Sequence, residues 1–302
     1  MLERSIESIL DQTWKNIEFI IVNDNPNNHT IQKVLDQYGK KDQRIKILQN
    51  KVNIGLAKSM NLALKQAAGV YIARMDADDI SVLERIEHEI LYLEKHHLDM
   101  VGTNRIYISE SGKEIGRPGR LPGERKAEKL LPYGDPIIHP SVLIKKKVLE
   151  EVGGYRNFAS AQDYDLWLRM LTAGCKIGIL DEPLLFYRIR SDGISQTNNY
   201  KQFLFANYAR LLYRERKKKG TDSFSEKNIK RFIEQRYTEQ RKKHFDKAYK
   251  YFNDGIKAWK NRRKSEGIVL ALKAVVSDRA CAKSIFQLLK YEIRKKLLFM
   301  GK

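Results

Sequence analysis

The sequence predicts an α/β protein with a mainly parallel sheet flanked by helices, followed by an all-helical basic region. Short apolar runs alternate with helical patterns in the first third of the 302 residues, which is typical of βαβ units. After about Asn198 only helical patterns remain. Residues 201–302 contain 29 Lys and Arg against 10 Asp and Glu, whereas residues 1–200 contain 28 against 27. We therefore predict two regions, residues 1–197 and 198–302.

The individual elements follow from local periodicity. Helices are predicted where apolar residues recur at spacings of three and four, at residues 2–10, 31–38, 56–68, 80–97, 145–152 and 163–173. Strands are predicted at the short apolar runs 17–22, 45–48, 70–75, 100–108, 142–144, 177–180 and 185–189. Residues 109–136, rich in Gly, Pro and charge, are expected to form an irregular connection. Because ligands of such sheets bind beyond the carboxyl ends of strands, the residues that follow strands are the first candidates for a site.

The composition argues against a membrane-spanning or secreted protein. No apolar run approaches the roughly 20 residues of a spanning helix, and the first residues lack the pattern of a secretory leader. Cys175 and Cys281 lie far apart and have no metal-ligand spacing, so we expect both to be reduced. These features predict a cytoplasmic protein.

The segment after the strand at 70–75 carries three carboxylates. Asp76, Asp78 and Asp79 crowd into four positions, where their charges repel one another. A hard divalent cation with oxygen ligands would relieve this repulsion, and such cations commonly keep phosphate oxygens in their shell. The sequence therefore predicts a metal–diphosphate site at the end of this strand. The alternative is that Asp78 and Asp79 cap the helix predicted at 80–97.

Four segments, taken together in their order and spacing, resemble glycosyltransferase family 2, the inverting nucleotide-sugar transferases of GT-A fold. They are Val22-Asn23-Asp24, Asn53-Ile54-Gly55-Leu56 through Asn61, Asp76-Ala77-Asp78-Asp79, and Gln162-Asp163-Tyr164-Asp165-Leu166-Trp167-Leu168-Arg169. The resemblance covers roughly residues 1–196 and does not extend to the basic tail. It implies a GT-A domain at residues 1–197 and an enzyme that builds polysaccharides of the cell envelope.

On the nucleotide side, the resemblance implies that Asp24, Asn53 and Gly55 bind the nucleotide sugar. Arg188 is expected to clamp the diphosphate, and Arg190 stands where many relatives carry a His. From the local sequence alone, Asp24 could instead fix an Asx turn, and the two arginines could be surface charges.

On the reaction side, the resemblance implies a divalent metal, Mn²⁺ or Mg²⁺. Asp78 is expected to be its direct ligand, and Asp76 to contact the metal through water or to contact the ribose. Asp163 matches the catalytic base that takes the proton of the acceptor hydroxyl. The alternative is that Asp163 is a helix N-cap. Trp167 is expected to belong to the core, because it lies in an apolar stripe.

One feature departs from the family pattern. Its members begin with an apolar strand just before the helix that lies here at 2–10, and that strand is absent from this sequence. We therefore expect the strand at 17–22 to have an unpaired edge. A non-catalytic descendant that binds nucleotide or membrane is accordingly an alternative to the enzyme.

The resemblance implies a nucleoside-diphosphate sugar donor, with UDP the expected nucleotide, and a glycan or lipid-linked acceptor. The charge of residues 201–302 suits an anionic surface, so we expect docking at the inner face of the cell membrane, where the helical stretches 267–276 and 285–298 offer apolar faces. A solvated basic bundle is the alternative. A nucleic-acid-binding protein is a further alternative, although the helical spacing of the aromatic residues there is that of a core, namely Tyr249, Tyr251, Phe252 and Trp259.

Overall fold

The computed structural model describes residues 1–121, 123, 125–190, 199–277 and 290–299. Its contacts divide the chain into two compact units. The α/β unit comprises Met1–Leu131 and Pro136–Ser191, and the helical unit comprises Pro132–Asp135 and Asp192–Lys302.

The α/β unit combines helices with two groups of strands. Its helices are α1 (Leu2–Leu10), α2 (His29–Lys41), α3 (Leu56–Gln66), α4 (Arg85–Lys95), α5 (Lys126–Leu130), α6 (Lys146–Glu151) and α7 (Gln162–Thr172). Its strands are β1 (Phe19–Asn23), β2 (Ile45–Gln49), β3 (Tyr71–Ala73), β4 (Ile80–Ser81), β5 (Met100–Ile108), β6 (Glu114–Gly116), β7 (Val142–Lys145) and β8 (Ile177–Arg188). The α/β fold class is therefore confirmed.

The strands form two sheets. β1 and β2 pair in parallel, and the larger sheet has the order β3–β7–β5–β8–β4, with β6 paired to β5. Ile6 of α1 and Leu35 of α2 belong to the apolar cluster that covers the smaller sheet. Ile86 of α4 and Val101 of β5 belong to the cluster of the larger sheet. Burial of these apolar side chains holds the helices against the strands.

The expectation of a mainly parallel sheet is wrong for the larger sheet. Only β5 and β8 pair in parallel among its described strands, whereas the other pairings are antiparallel. Parallel neighbours require a crossover of roughly a dozen or more residues, usually a helix. Here β6 follows β5 after a short turn and pairs with it in antiparallel fashion, whereas β3 and β4 are separated only by the turn 74–79 but lie at opposite ends of the sheet. Strands and helices alternate in sequence, as parallel pairing requires, only as far as β3. The larger sheet is therefore mixed.

β1 lies at the edge of its sheet. Among the described strands it pairs with β2 alone, which confirms the expected unpaired edge. Its apolar residues Phe19 to Val22 are only half-buried. β3 is likewise an edge strand, because among the described strands it pairs only with β7. Ala73 on this strand is exposed. Both edges present backbone groups that no described strand pairs.

Several element boundaries differ from those predicted by one to three residues, the predicted irregular connection 109–136 contains β6 and α5, and two larger differences come from strand pairing. The helix predicted at 80–97 begins only at Arg85, because β4 pairs with β8 instead of joining the helix. The strands predicted at 177–180 and 185–189 are one continuous strand, β8. Its register against β5 shifts at Asn104, and this irregularity accounts for the interruption in the apolar pattern.

The helical unit contains α8 (Asn199–Lys219), α9 (Glu226–Glu234), α10 (Glu239–Lys260), α11 (Lys264–Ser277) and α12 (290–299). Its core is built on Tyr200, Leu204, Phe245, Ala248, Phe252 and Ala274. The expected core position is wrong for Trp259, which is 50% exposed. None of the described helices combines the length and the hydropathy needed to cross a lipid bilayer. Cys175 is a free thiol, whereas Cys281 and residues 285–289 lie outside the described residues.

Candidate active site

Three carboxylates lie together on the turn between β3 and β4. Asp76, Asp78 and Asp79 each place a carboxylate oxygen within 4.8 Å of the others. The amide of Asp79 donates to the carbonyl of Asp76 at 3.3 Å and closes the turn. The N-cap of α4 is Glu84, so the alternative that Asp78 or Asp79 caps this helix is wrong. We call these three residues the carboxylate trio.

Arg74 holds the first carboxylate of the trio. Its guanidinium donates to both carboxylate oxygens of Asp76, with 2.7 Å between Nη1 and Oδ2. Arg74 is buried, and Nη2 of Arg85 donates to its carbonyl at 2.9 Å. The hydroxyl of Ser5 donates to the carbonyl of Asp76 at 3.1 Å, which ties α1 to the turn. These contacts fix the position of Asp76.

The other two carboxylates carry charge that the described residues balance only in part. Burial raises the pKa of Asp79 to about 7, and the nearby charges of Asp76 and Asp78 add to this rise. The hydrogen bond from the backbone amide of Arg188 acts in the other direction and lowers the pKa. Burial and Asp76 also raise the pKa of Asp78, although Arg190, with Nη1 3.8 Å from Oδ2, opposes this. Oδ1 of Asp79 accepts from the amide of Arg188 at 2.8 Å, whereas its buried Oδ2 has no hydrogen-bond partner among the described residues. Oxygen donors and unbalanced negative charge are what a divalent cation requires, so the trio fits the predicted metal.

Asp24 follows β1 and holds the N-terminus of α3. Its carboxylate accepts from the backbone amides of Ile54 and Gly55 and from the side chain of Asn50, each at 2.8 Å. The side chain of Asn53 donates to the carbonyl of Asp24 at 3.0 Å. Partial burial raises the pKa of Asp24, but these hydrogen bonds to its carboxylate outweigh burial and lower the pKa overall. The carboxylate therefore bridges two segments rather than closing a local Asx turn.

Asp163 lies in the first turn of α7. The N-cap is Ala161, whose φ of 58° is in the left-handed region, so the alternative that Asp163 is the cap is wrong. Oδ2 of Asp163 lies 3.8 Å from Nδ1 of His139, and Oδ1 accepts from the amide of Tyr164 at 2.8 Å. Burial raises the pKa of Asp163, whereas the amide of Tyr164 and the charge of Arg74 oppose this rise. A raised pKa makes this carboxylate a stronger base than an ordinary Asp.

His139 links Asp163 to Tyr155. Its Nε2 lies 3.0 Å from the hydroxyl of Tyr155. Burial and the charge of Arg74 hold the pKa of His139 well below its usual value, and burial raises the pKa of Tyr155. The ring is therefore neutral, and a hydroxyl that donates to Nε2 leaves the N–H on Nδ1, facing Asp163. Trp167 is buried and packs edge-on against the His139 ring at 5.9 Å, which confirms that it belongs to the core.

Arg188 joins three backbone segments at the end of β8. Its Nε donates to the carbonyl of Asp78 at 2.7 Å, and Nη1 donates to the carbonyls of Ser109 and Glu110 at 2.8 and 2.9 Å. Arg188 is buried, so the alternative of a surface charge is wrong for this residue. These bonds position the turn that carries the trio, while binding of the diphosphate by Arg188 stays a prediction.

The structure gathers the predicted residues into two groups. Asp76 and Asp163 both interact with the charge of Arg74, so the trio and the predicted base share one electrostatic environment. Asp24 and Gly55 contact each other at the start of α3, and their described hydrogen bonds do not extend to the trio. The reaction side and the nucleotide side are thus each assembled from residues distant in sequence.

Sequence reasoning missed the roles of Arg74, His139 and Tyr155. A signal exists for Arg74, because it interrupts the apolar run at 70–75 and a buried cation demands a nearby anion. His139 and Tyr155 lie 16 positions apart and show no local pattern that pairs them. Their contact exists only in the folded chain, because β7 and α6 lie between them in sequence.

Known proteins resemble this chain along the same region. Residues 1–153 match the family model described as Glycosyl transferase family 2. The O-antigen biosynthesis glycosyltransferase WbnJ of Escherichia coli is 37% identical over 62% of this chain and 74% of its own length. UDP-Glc:alpha-D-GlcNAc-diphosphoundecaprenol beta-1,3-glucosyltransferase WfaP, also of E. coli, is 30% identical over 66% of this chain and 76% of its own length.

A solved structure shares the fold. TarS 1–349 of S. aureus, in complex with UDP-GlcNAc, superposes with a TM-score of 0.58 at 19% identity, over 77% of this chain and 66% of that chain. This likeness supports a GT-A-like α/β fold with a mixed sheet. The relatives do not favour the alternative of a nucleic-acid-binding protein. The chain therefore belongs to glycosyltransferase family 2, and it is a glycosyltransferase.

Proposed function

We propose that this chain is an inverting glycosyltransferase that moves a sugar from a UDP-linked donor to a hydroxyl of a glycan or lipid-linked acceptor. The observation that carries the proposal is the carboxylate trio, which shares the charge of Arg74 with Asp163. The printed substrates of two similar proteins support the choice of donor and acceptor. WfaP acts from UDP-Glc on a diphosphoundecaprenol-linked sugar, and TarS was solved with UDP-GlcNAc.

Asp76 and Asp78 are the proposed ligands of Mn²⁺ or Mg²⁺, and the unpartnered oxygen of Asp79 adds further negative charge. When bound, such a cation neutralises the leaving diphosphate. Arg74 fixes the carboxylate of Asp76, and Arg188 holds the backbone of Asp78. The positions of the ligands are thus set by buried arginines before any ligand arrives.

Asp163 is the proposed general base. The acceptor oxygen forms a bond to the anomeric carbon while the bond from that carbon to the diphosphate breaks, and the proton of the acceptor hydroxyl passes to Asp163. Attack opposite the leaving group inverts the anomeric centre. We assign His139 a role in positioning this carboxylate, because Nδ1 of its buried ring lies 3.8 Å from Oδ2 of Asp163. The raised pKa of Asp163 favours acceptance of this proton.

Asp24, Asn53 and Gly55 form the proposed nucleotide side. Gly55 has a φ of 85°, which strains any residue with a side chain, and no described atom lies within 4 Å of the place where its Cβ would be. This leaves the start of α3 open for close approach of a ligand. Asp24 holds that opening in place through the amides of Ile54 and Gly55.

The helical unit is the proposed membrane-binding part, at the cytoplasmic face of the cell membrane. It carries the excess of Lys and Arg found in residues 201–302. Each Lys or Arg close to an anionic lipid surface contributes about 1 kcal/mol of binding free energy. Docking there would keep the enzyme where lipid-linked acceptors lie.

The catalytic assignment is tested with Asp163→Asn, which keeps the shape of the side chain and removes its basicity. We expect the release of UDP from UDP-glucose or UDP-N-acetylglucosamine, in the presence of Mn²⁺, to fall by about 10²–10⁴ because general-base assistance is lost. Calorimetric binding of UDP with Mn²⁺ should stay unchanged. The exposed Asp36 on α2 provides the matched control, and Asp36→Asn should leave both measurements as in the wild type.

Two outcomes would contradict this assignment. Equal rates of UDP release in the wild type and in Asp163→Asn would exclude Asp163 as the base. Binding of UDP by the wild type without release from either donor would favour the non-catalytic, nucleotide-binding descendant instead.

A further inference from the structure

α11 packs on α10 through small residues. Gly255 of α10 and Gly267 of α11 lie so close that a Cβ added at either would approach the other's carbonyl oxygen within 3.1–3.2 Å. Ala274, two turns further along α11, is completely buried. One narrow face of α11 is therefore buried within the helical unit. Its residues are small, which allows α11 to pack closely on α10.

A second face of α11 is apolar and exposed. It consists of Ile268, Val269, Leu272, Val275 and Val276. These residues recur at the spacing of one helical stripe, and Leu272 is 60% and Val276 85% exposed. We call them the α11 face. A continuous exposed aliphatic stripe in a soluble unit marks a surface that contacts something else.

Cations border this face. A groove of about 410 Å³ runs between α10 and α11, lined on its apolar side by Leu272 and Val276. Lys247 of α10 and Lys273 of α11 line the same groove. Lysine can lay its aliphatic stem along an apolar surface while its ammonium reaches outward. The border is thus suited to a partner that is apolar inside and anionic at its surface.

Trp259 is a further exposed apolar side chain of the same helix pair, at the end where α10 meets the start of α11. It lies near the end of α10, where its backbone and ring are within 3.5 Å of the place where a Cβ on Gly267 would be, and it is half exposed. Indole rings favour the boundary between water and lipid because they are apolar with one polar N–H. A helix pair that combines an exposed Trp, an aliphatic stripe and lysines at the border of that stripe has the composition of an interfacial surface.

We propose that the α11 face, with Trp259 and the bordering lysines, docks on an anionic lipid bilayer and enters the boundary between headgroups and acyl chains. The inference deepens the membrane partner given under the proposed function and depends on it. A second copy of the chain is disfavoured because two strongly basic units would repel each other. Nucleic acid is disfavoured because the α11 face itself is aliphatic, whereas the stacking of successive bases requires a series of aromatic side chains.

The test measures cosedimentation of the full chain with vesicles of phosphatidylcholine, with and without phosphatidylglycerol, in the absence of donor. We expect binding only to the anionic vesicles, weakened by added salt. Leu272→Asp should weaken it by about tenfold or more, because burial of a leucine is lost and a like charge is brought to the lipid. The matched control is Leu91→Asp on α4, since Leu91 is 59% exposed, and it should bind like the wild type.

Two further measurements test whether the α11 face is exposed in the folded protein and whether it contacts lipid. The melting temperature of Leu272→Asp should match that of Leu91→Asp, because neither side chain is buried in the folded protein. Tryptophan emission should shift to the blue when anionic vesicles are added, and Trp259→Phe should remove the shift.

The proposal is overturned if the wild type fails to bind anionic vesicles, or if Leu272→Asp and Leu91→Asp bind them equally. It is also overturned if Leu272→Asp alone melts several degrees lower, which would show that the face is covered within the protein. UDP release in solution separates these outcomes from a failure of the catalytic assignment. The vesicle measurement needs no donor, and UDP release needs no vesicle.

Discussion

The buried guanidinium of Arg74 interacts with two carboxylates, those of Asp76 and Asp163. It pairs with Asp76 directly and lowers the pKa of Asp163 against the effect of burial. Charges in such poorly solvated surroundings interact more strongly than they do in water. Asp163 is therefore more basic than an ordinary Asp, and Arg74 limits how far its pKa rises.

The pH dependence of transfer should reveal this balance. A general base works only when it is deprotonated, so the rate falls as pH falls through its pKa. Because burial raises the pKa of Asp163 from 3.8, we expect the acid limb of kcat at saturating donor and Mn²⁺ to lie above pH 3.8. Saturation keeps the proposed ligand Asp78 in its metal-bound state, so the protonation of Asp78 affects KM instead. A limb at or below 3.8 would contradict the assignment of a buried base.

At the scale of elements, α3 depends on a carboxylate from outside the helix. Its N-cap is Gly55, which provides no side-chain hydrogen bond. Asp24 instead fixes the segment that enters the helix by accepting from the amides of Ile54 and Gly55, and its negative charge near the helix start favours the helix dipole. β1 and α3 are joined in this way although they are distant in sequence.

Asp24→Ala should therefore destabilise the protein by about 2 kcal/mol at neutral pH, since hydrogen bonds to a charged group contribute about 1.5–3 kcal/mol. The folded-state pKa of Asp24 is lowered from 3.8, so its stabilisation is complete above that value and is lost as pH falls through the lowered pKa. The difference from the wild type in urea unfolding should accordingly shrink in acid.

The surface substitution Asp36→Ala serves as the control for this series and should change the free energy of unfolding by less than about 0.5 kcal/mol. A loss in Asp24→Ala that is no larger than this, or one that grows in acid, would show that Asp24 does not hold α3.

Elements with strong local periodicity could be predicted from the sequence, and long-range pairings could not. β5 lies at the predicted residues 100–108, because its apolar run is long and clearly bounded. The helix predicted from residue 80 begins only at Arg85, because pairing of β4 with β8 overrides the helical pattern. Local patterns carry no information about a partner strand a hundred residues away.

The same limit applies to the site. The trio could be predicted because its carboxylates are adjacent in sequence and crowd visibly. The contact between His139 and Asp163 depends on the packing of α7, which no spacing encodes. Arg188 resembled a clamp for phosphate in sequence, yet its described hydrogen bonds go to backbone carbonyls. A buried arginine with those partners is equally able to position a loop.

At the scale of the whole molecule, the two units differ in chemistry. The α/β unit contains the trio and Asp163, whereas the helical unit carries most of the excess positive charge and the exposed α11 face. A near-neutral region that carries a cluster of carboxylates and a basic, partly apolar surface suit different partners, a soluble sugar nucleotide and a lipid surface. We therefore expect the α/β unit to catalyse transfer and the helical unit to hold the protein at the membrane.

Metal-dependent binding of nucleotide at the trio is the central claim. Its most direct test is calorimetric titration of UDP into the wild type and into Asp78→Ala, with Mn²⁺ present and after its removal by a chelator. We expect the wild type to bind UDP only with the metal, and Asp78→Ala to bind about a hundredfold more weakly or not at all. Absence of binding by the wild type with Mn²⁺ present, or binding that neither the chelator nor Asp78→Ala changes, would contradict the account.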